Sequence, residues 1–421
     1  MQAPMAHFAL ICPPYFSHLR VFEALGSELI RRGHRATFLL NAGAEASLTG
    51  SPIPVRTVSA DIEAKRAVAN AARPTGPFGI LRTVADSARL TDRLCADGPE
   101  QLATLGVDAV IGDQVEAAAG LLAAHLRLPF ASVACGLPIN SGPGIPLPFL
   151  GWRYDPSPKG IEWIEGGERV AQLLLRGQRR TIENWSERFG IALRSSLEDC
   201  LSPLAQVAQI SSAFDYPRPE PTSFRAVGRI RSAMGEGELG FDVDPGRRFV
   251  FASLGTLQGG RLRLFKAIAR ACRGAGAQLL VAHCGLLSPR QAASIGADHV
   301  TDFAPQQAVL ARADLCITHA GLNTVLDSLA AGVPLLALPI AFDQPGVAAR
   351  IVHHHVGERI VPRRASSGRL KKQIKRVLNE PAYRSNAARQ AIALRQAGGL
   401  VAAVDYIERG LGLAGPRAVK L

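Results

Sequence analysis

Short apolar runs separated by helical patterns recur along this chain in two blocks, and that alternation admits few folds. In the first block the runs are His7 to Cys12, Ala36 to Leu40, Asp108 to Ile111 and Phe130 to Ala134. Such runs, each followed by a helical stretch, predict βαβ units and a parallel sheet. The alternation stops between about residues 141 and 245, in a Pro/Gly-rich loop, polar helices around Trp163 and Trp185, and the Pro-rich segment Tyr216 to Pro221. It restarts after Arg248 with Phe249 to Ala252, Gln278 to Ala282, His299 to Asp302, Leu315 to Thr318 and Pro334 to Pro339. Two doubly wound α/β domains follow, with a cleft between them. Their expected limits are 1–225 and 226–400. Residues 401–421 should form a C-terminal helix and tail that pack back on the first domain. A length of 421 residues, 47% of them apolar, suits two hydrophobic cores rather than one.

Charge and cysteine usage narrow the function classes. The formal charge of +13 draws the chain toward something anionic, but its Lys/Arg clusters are not interleaved with aromatics, so nucleic acid is not expected as a partner. The seven cysteines are odd in number and show no Cys-x-x-Cys spacing, which predicts buried thiols in a reducing cytoplasm. The apolar run Phe8 to Cys12 lacks a basic stretch before it and is read as a first strand, not a signal peptide. The longest uncharged stretch, Leu128 to Trp152, carries five prolines and cannot be a continuous membrane-spanning helix.

Ligands in open parallel sheets bind at the carboxyl ends of strands. In the second block those ends carry Ser253-Leu254-Gly255-Thr256, His283, Asp302-Phe303, Thr318-His319-Ala320-Gly321 and Asp343-Gln344; in the first they carry Ser17-His18 and Asp113. A helix is expected from Gly321 to Gly332, with Leu322, Val325, Leu326 and Leu329 as one buried stripe. Asn323, Thr324 and Asp327 then point the opposite way, at a helix start whose free N–H groups and dipole hold anions. A diphosphate fits there, with His319 donating to it and Asp327 accepting from a ribose diol. The Ser253 to Thr256 turn allows close backbone approach to a phosphate. It lacks the Walker Lys-Ser/Thr pair and the Gly-x-Gly-x-x-Gly fingerprint, so neither an ATPase nor a dinucleotide oxidoreductase is indicated.

His18 and Asp113 should share one sheet edge. The imidazole would take the proton of an alcohol while the carboxylate fixes its tautomer. No metal is needed. Asp242-Val243-Asp244 has the Asp-x-Asp form of some metal-holding transferases but lies in polar linker, and His353-His354-His355 reads as a helix end, since consecutive histidines point apart.

Three segments resemble the UDP-dependent glycosyltransferases, whose two facing Rossmann-like domains form the GT-B fold. They are Asp302-Phe303-Ala304-Pro305-Gln306, the run from Thr318 through Gly321-Leu322-Asn323-Thr324 to Asp327, and Gly332-Val333-Pro334 with Asp343-Gln344. Pro13 to His18, Phe251 to Gly259 and Ala341 to Ala348 are most similar to the bacterial branch that glucosylates the carotenoid diol zeaxanthin. The resemblance implies inverting transfer from UDP-glucose, with no cofactor, to a carotenoid hydroxyl. It also implies His18 as base with Asp113, Phe303 as uracil platform, and Gln306 and Asp327 as ribose contacts. His319, Asn323 and Thr324 would hold the diphosphate, and Asp343 and Gln344 the sugar. Phe303 stands where Trp is frequent and Asp327 where Glu is common, which leaves uridine and thymidine both open; Leu322 replaces a frequent Trp near the sugar, so glucose is what the resemblance implies and not a reading of the residues. Other nucleotide sugars, other hydrophobic acceptors such as a polyketide or hopanoid, and a non-catalytic nucleotide-sugar or carotenoid binder are the alternative readings. An acceptor this apolar suggests a peripheral position on the inner face of a membrane, with Leu128 to Trp152 and the Trp163 and Trp185 helices beside Arg176, Arg179 and Arg180 facing anionic lipid.

Overall fold

The structure, a computed structural model, describes residues 5–58, 63–73, 76–219, 221–231 and 239–413. Seven strands, β1 (His7–Ile11), β2 (Arg35–Asn41), β3 (Val55–Val58), β4 (Ala109–Asp113), β5 (Phe130–Ala134), β6 (Ala205–Ala208) and β7 (Phe224–Ala226), form one sheet in the order β3-β2-β1-β4-β5-β6-β7. All its pairings are parallel. Six more, β8 (Phe249–Ser253), β9 (Gln278–Ala282), β10 (His299–Thr301), β11 (Leu315–Thr318), β12 (Leu335–Ala337) and β13 (Gly357–Arg359), form a second parallel sheet in the order β10-β9-β8-β11-β12-β13. β1, β4, β5, β8 and β9 are buried along their whole length because helices cover both faces. That is why these strands read as mostly apolar runs, not as alternating ones.

Strand order reverses between β1 and β4 in the first sheet and between β8 and β11 in the second. Such switch points open a crevice beyond the strand ends. β3, β6, β7 and β13 were not expected from sequence. β6 and β7 lie inside the stretch read as irregular, between residues 141 and 245, and correct that reading. Each has three or four residues, too few for a periodic pattern, and β13 is the polar triplet Gly357–Arg359 on a sheet edge.

The two sheets share a core. Ala134, Leu137, Ala208, Ile210 and Phe214 from the first unit pack in one cluster with Phe249, Phe251, Leu322 and Val347 from the second. After Gly398, at φ 87°, the chain turns into the helix Gly399–Gly410, which lies against the first sheet. Ala403, Val404 and Ile407 enter its core beside Leu25 and Leu29. Arg32 fixes the helix through Asp405 at 2.7 Å and Glu408 at 2.8 Å. Residues 414–421 of the expected tail lie outside the described residues. No described helix is long and apolar enough to cross a membrane.

Candidate active site

The helix Phe16–Arg31 follows β1 after a short turn, so His18 falls in its first turn at the switch point. Asp113 is the last residue of β4, next to β1, and its side chain is fully buried. His18 Nδ1 meets Asp113 Oδ2 at 2.6 Å, which leaves Nε2 as the free ring nitrogen. Burial acts to lower the His18 pKa, but the Asp113 charge and hydrogen bond, with a smaller contribution from Asp343, outweigh it and leave the ring more basic than an ordinary imidazole. Asp113 Oδ1 also accepts from the Val115 amide at 3.0 Å, which fixes the carboxylate. Cys135 completes this corner, its sulfur within 4.8 Å of the His18 and Asp113 ligand atoms. Burial and the Asp113 carboxylate push its thiol well up, so it presents S–H to that carboxylate.

Across the crevice the helix Leu322–Ala330 begins after β11, with Gly321 as a cap that offers no side-chain acceptor. Its first-turn N–H groups are left for an anion. Ala320, just before it, adopts φ 65°, and Cys284 (φ 57°) and Phe342 (φ 55°) do the same in neighbouring strand-end loops. Left-handed non-glycine residues are costly, and their concentration along this rim marks it as over-determined by its surroundings. The His319 ring lies between Gly255 and Gly321, where a Cβ on either would come within 2.6 Å of the ring. Burial lowers its pKa to about 4, so the ring is neutral and donates one hydrogen bond at most. Ser253 ends β8, and Thr256 lies in the short helical turn Gly255–Gln258.

The two rims touch. Asn323 Nδ2 donates to the Ser17 carbonyl at 3.2 Å, one residue from His18, and Asn323 Oδ1 accepts from Gln209 Nε2 at 2.6 Å. Asp343 Oδ2 accepts from the Leu137 amide at 3.1 Å, and burial raises its pKa. Gln344 turns its Oε1 inward to the amides of Ile340 and Ala341, both at 2.8 Å, leaving only its amide nitrogen for the crevice.

Asp327 differs from the exposed face expected of it. Both it and Thr324 are buried, and Arg229 and Arg231 from the segment after β7 cover Asp327. Asp327 Oδ2 accepts from Gln306 Nε2 at 2.7 Å, and Oδ1 from Arg229 at 3.2 Å, with Arg231 at 3.9 Å. Phe303 stands apart from this cluster, 66% exposed at the end of β10. With Ala304, Pro305, Phe241 and His299 it lines a cavity of about 440 Å³. Gln209, Arg229, Arg231 and Cys135 were missed from sequence. The first three follow β6 and β7, so recognising those strands would have placed them at the same sheet edge.

The remaining motifs lie elsewhere. Asp244 Oδ1 accepts from the Gly246 amide at 2.8 Å in a local turn. His353 ends its helix, and His354 points to the Asp215 carbonyl at 3.2 Å. Trp185, expected near a membrane face, is instead buried in the first core with Nε1 donating to Asp92 at 2.8 Å. Six cysteines are buried and Cys284 is half-buried.

Residues 197–395 match the family described as UDP-glucoronosyl and UDP-glucosyl transferase. The zeaxanthin glucosyltransferase of Pantoea ananas is 41% identical over 415 residues, 96% of each chain. That of Pseudescherichia vulneris is 41% identical over 414 residues, 97% of this chain and 98% of its own. Among solved structures, the glycosyltransferase of kitacinnamycin superposes with TM-score 0.77 at 19% identity, covering 97% of this chain and 99% of that one. The calicheamicin glycosyltransferase CalG4 superposes with TM-score 0.75 at 20% identity, covering 98% and 100%. These likenesses identify the two facing sheets as the GT-B architecture.

Proposed function

The chain belongs to the UDP-glycosyltransferase family and is an enzyme that transfers glycosyl groups; from that premise we propose that it moves glucose from UDP-glucose to a hydroxyl of zeaxanthin, forming a β-glucoside with inversion. The acceptor and sugar rest on the relatives of 41% identity that span nearly the whole chain.

The single observation that carries the mechanism is the 2.6 Å contact between His18 and Asp113, facing a helix start across the crevice. Nδ1 is held by the carboxylate, so Nε2 receives the acceptor hydroxyl's proton. The acceptor oxygen attacks the anomeric carbon as the bond to the diphosphate oxygen breaks on the opposite face. Asp113 steadies the imidazolium that forms. Charge grows on the departing UDP, where the Leu322–Ala330 N–H groups and neutral His319 stabilise it. Gln306 and Asp327 receive the ribose, Phe303 stacks on the base, and Asn323, Thr324, Ser253, Gly255 and Thr256 line the diphosphate. Asp343 and Gln344 take the sugar hydroxyls. The donor brings all the chemistry required, so the reaction is assigned no further cofactor and no metal. The enzyme is assigned to the cytoplasm, peripheral on the inner face of the membrane, where the +13 charge favours anionic lipid.

His18→Ala tests this directly. Calorimetry should show unchanged UDP-glucose affinity, while chromatography of the pigment should show transfer reduced by about 10²- to 10⁴-fold, the range for a lost general base. Turnover retained at the wild-type rate would remove His18 from its role.

A further inference from the structure

We infer that the outer face of the helix Pro158–Leu174, with the start of the helix Gly76–Leu105, is the surface by which the protein docks on an anionic bilayer. This rests on the carotenoid reading above, which requires an acceptor resident in lipid. Trp163 is 69% exposed, Val170 63% and Leu173 58%. At helical spacing these side chains share an arc of about 80°. Ile80 and Leu81 are also exposed on the helix that packs beside it. Large apolar side chains grouped on one surface mark an interaction site.

Charge complementarity selects the occupant. The next helix, Arg176–Arg188, opens with exposed Arg176, Arg179 and Arg180 immediately beyond Leu173. Arg179 is paired with Glu183 at 2.7 Å, whereas Arg176 and Arg180 make no ion pair among the described residues. Glu165 and Glu168 turn away from the apolar arc, and Glu162 sits at its border. An apolar stripe with a tryptophan and a cationic margin is the arrangement of helices that lie in the headgroup layer.

The face is also connected to the site. The Trp163 ring packs on Trp152 at 5.8 Å. Trp152 ends a loop that begins beside Cys135 and passes half-buried Leu147, Phe149 and Leu150. At its other end the Leu137 amide touches Asp343 in the crevice. An elongated apolar acceptor leaving the bilayer at Trp163 therefore meets apolar side chains along the way to His18.

The test is flotation of the full-length protein with phosphatidylglycerol/phosphatidylcholine vesicles and with phosphatidylcholine alone. Wild type should float with the anionic vesicles and less as salt rises. Arg176→Glu/Arg180→Glu should lose at least about tenfold in partitioning, since each arginine at an anionic surface contributes on the order of fivefold. Trp163→Ser/Val170→Ser/Leu173→Ser should also lose attachment while keeping its melting temperature. Wild type remaining unbound, or the variants floating like wild type, overturns the docking face. Transfer to zeaxanthin in detergent micelles separates this from the chemistry. Arg176→Glu/Arg180→Glu should match wild type there, and a wild type inactive in micelles would overturn the acceptor reading instead.

Discussion

His18 is basic for a reason that can be removed. Its burial alone would make it a poorer base, and the Asp113 carboxylate reverses the sign. Asp113→Asn keeps the shape and deletes the charge, so burial again dominates and the ring's pKa falls. The ring must be neutral to take a proton, so activity is lost below its pKa. The acidic limb of the kcat/KM profile should therefore move to lower pH in the variant. The plateau rate should drop by about 10²- to 10⁴-fold as the tautomer and imidazolium lose their partner. A carboxylate serving only to pack the corner would leave the limb where it stands in wild type. The residue types at 18 and 113 were legible in the sequence because strand ends are where such sheets place polar groups. The Cys135 thiol beside them was passed over although it directly follows the expected strand Phe130 to Ala134, since a lone cysteine in an apolar sequence carries no chemical pattern of its own.

At the scale of elements, the diphosphate-binding reading depends on the loops after two adjacent strands, β8 and β11, fitting one ring between them. Gly255 sits at φ 73°, and a Cβ there would come within 2.6 Å of the His319 ring. Gly255→Ala should strain the turn by about 1–2 kcal/mol, the cost of left-handed backbone for a residue with a Cβ. It should also displace His319, raising KM for UDP-glucose by roughly tenfold, a loss of about 1.4 kcal/mol in donor binding. Kinetics at saturating acceptor reads this, and an unchanged KM would remove His319 from the donor site. The same scale explains what sequence reading found and missed. Buried strands such as β8 and β9 carry four apolar residues in a row. β6 and β7 owe their pairing to β5 and to each other, a tertiary effect with no local pattern. The face of Leu322–Ala330 that carries Asp327 is polar in sequence yet buried, because Arg229 and Arg231 arrive from a distant segment to cover it.

The whole molecule is a pair of sheets whose relative placement decides whether His18 meets the donor, and that placement is held by a buried ion pair. Arg350, 2% exposed, contacts Asp215 at 2.7 Å, and its guanidinium lies 4.1 Å from the Tyr216 ring centroid. Arg218 reaches the same carboxylate at 2.8 Å. Burial would raise the Asp215 pKa, but the two guanidinium groups hold it below the usual carboxylate range. Arg350→Met leaves Asp215 buried with half its compensation. Breaking such a pair costs about 3–5 kcal/mol, and Arg218 should keep the loss at the lower end. Because the folded pKa is depressed, the wild-type contribution is complete above the unfolded carboxyl's value of about 3.9 and is lost as pH falls through the folded one. The variant's Asp215 protonates at higher pH, after which it no longer needs Arg350. Urea unfolding should therefore show a stability gap that is constant at neutral pH and narrows in acid. A gap independent of pH would assign the loss to packing against Tyr216. Donor binding, which the proposed site places on the second sheet, should survive the substitution, while kcat should fall if His18 is the base held opposite the donor.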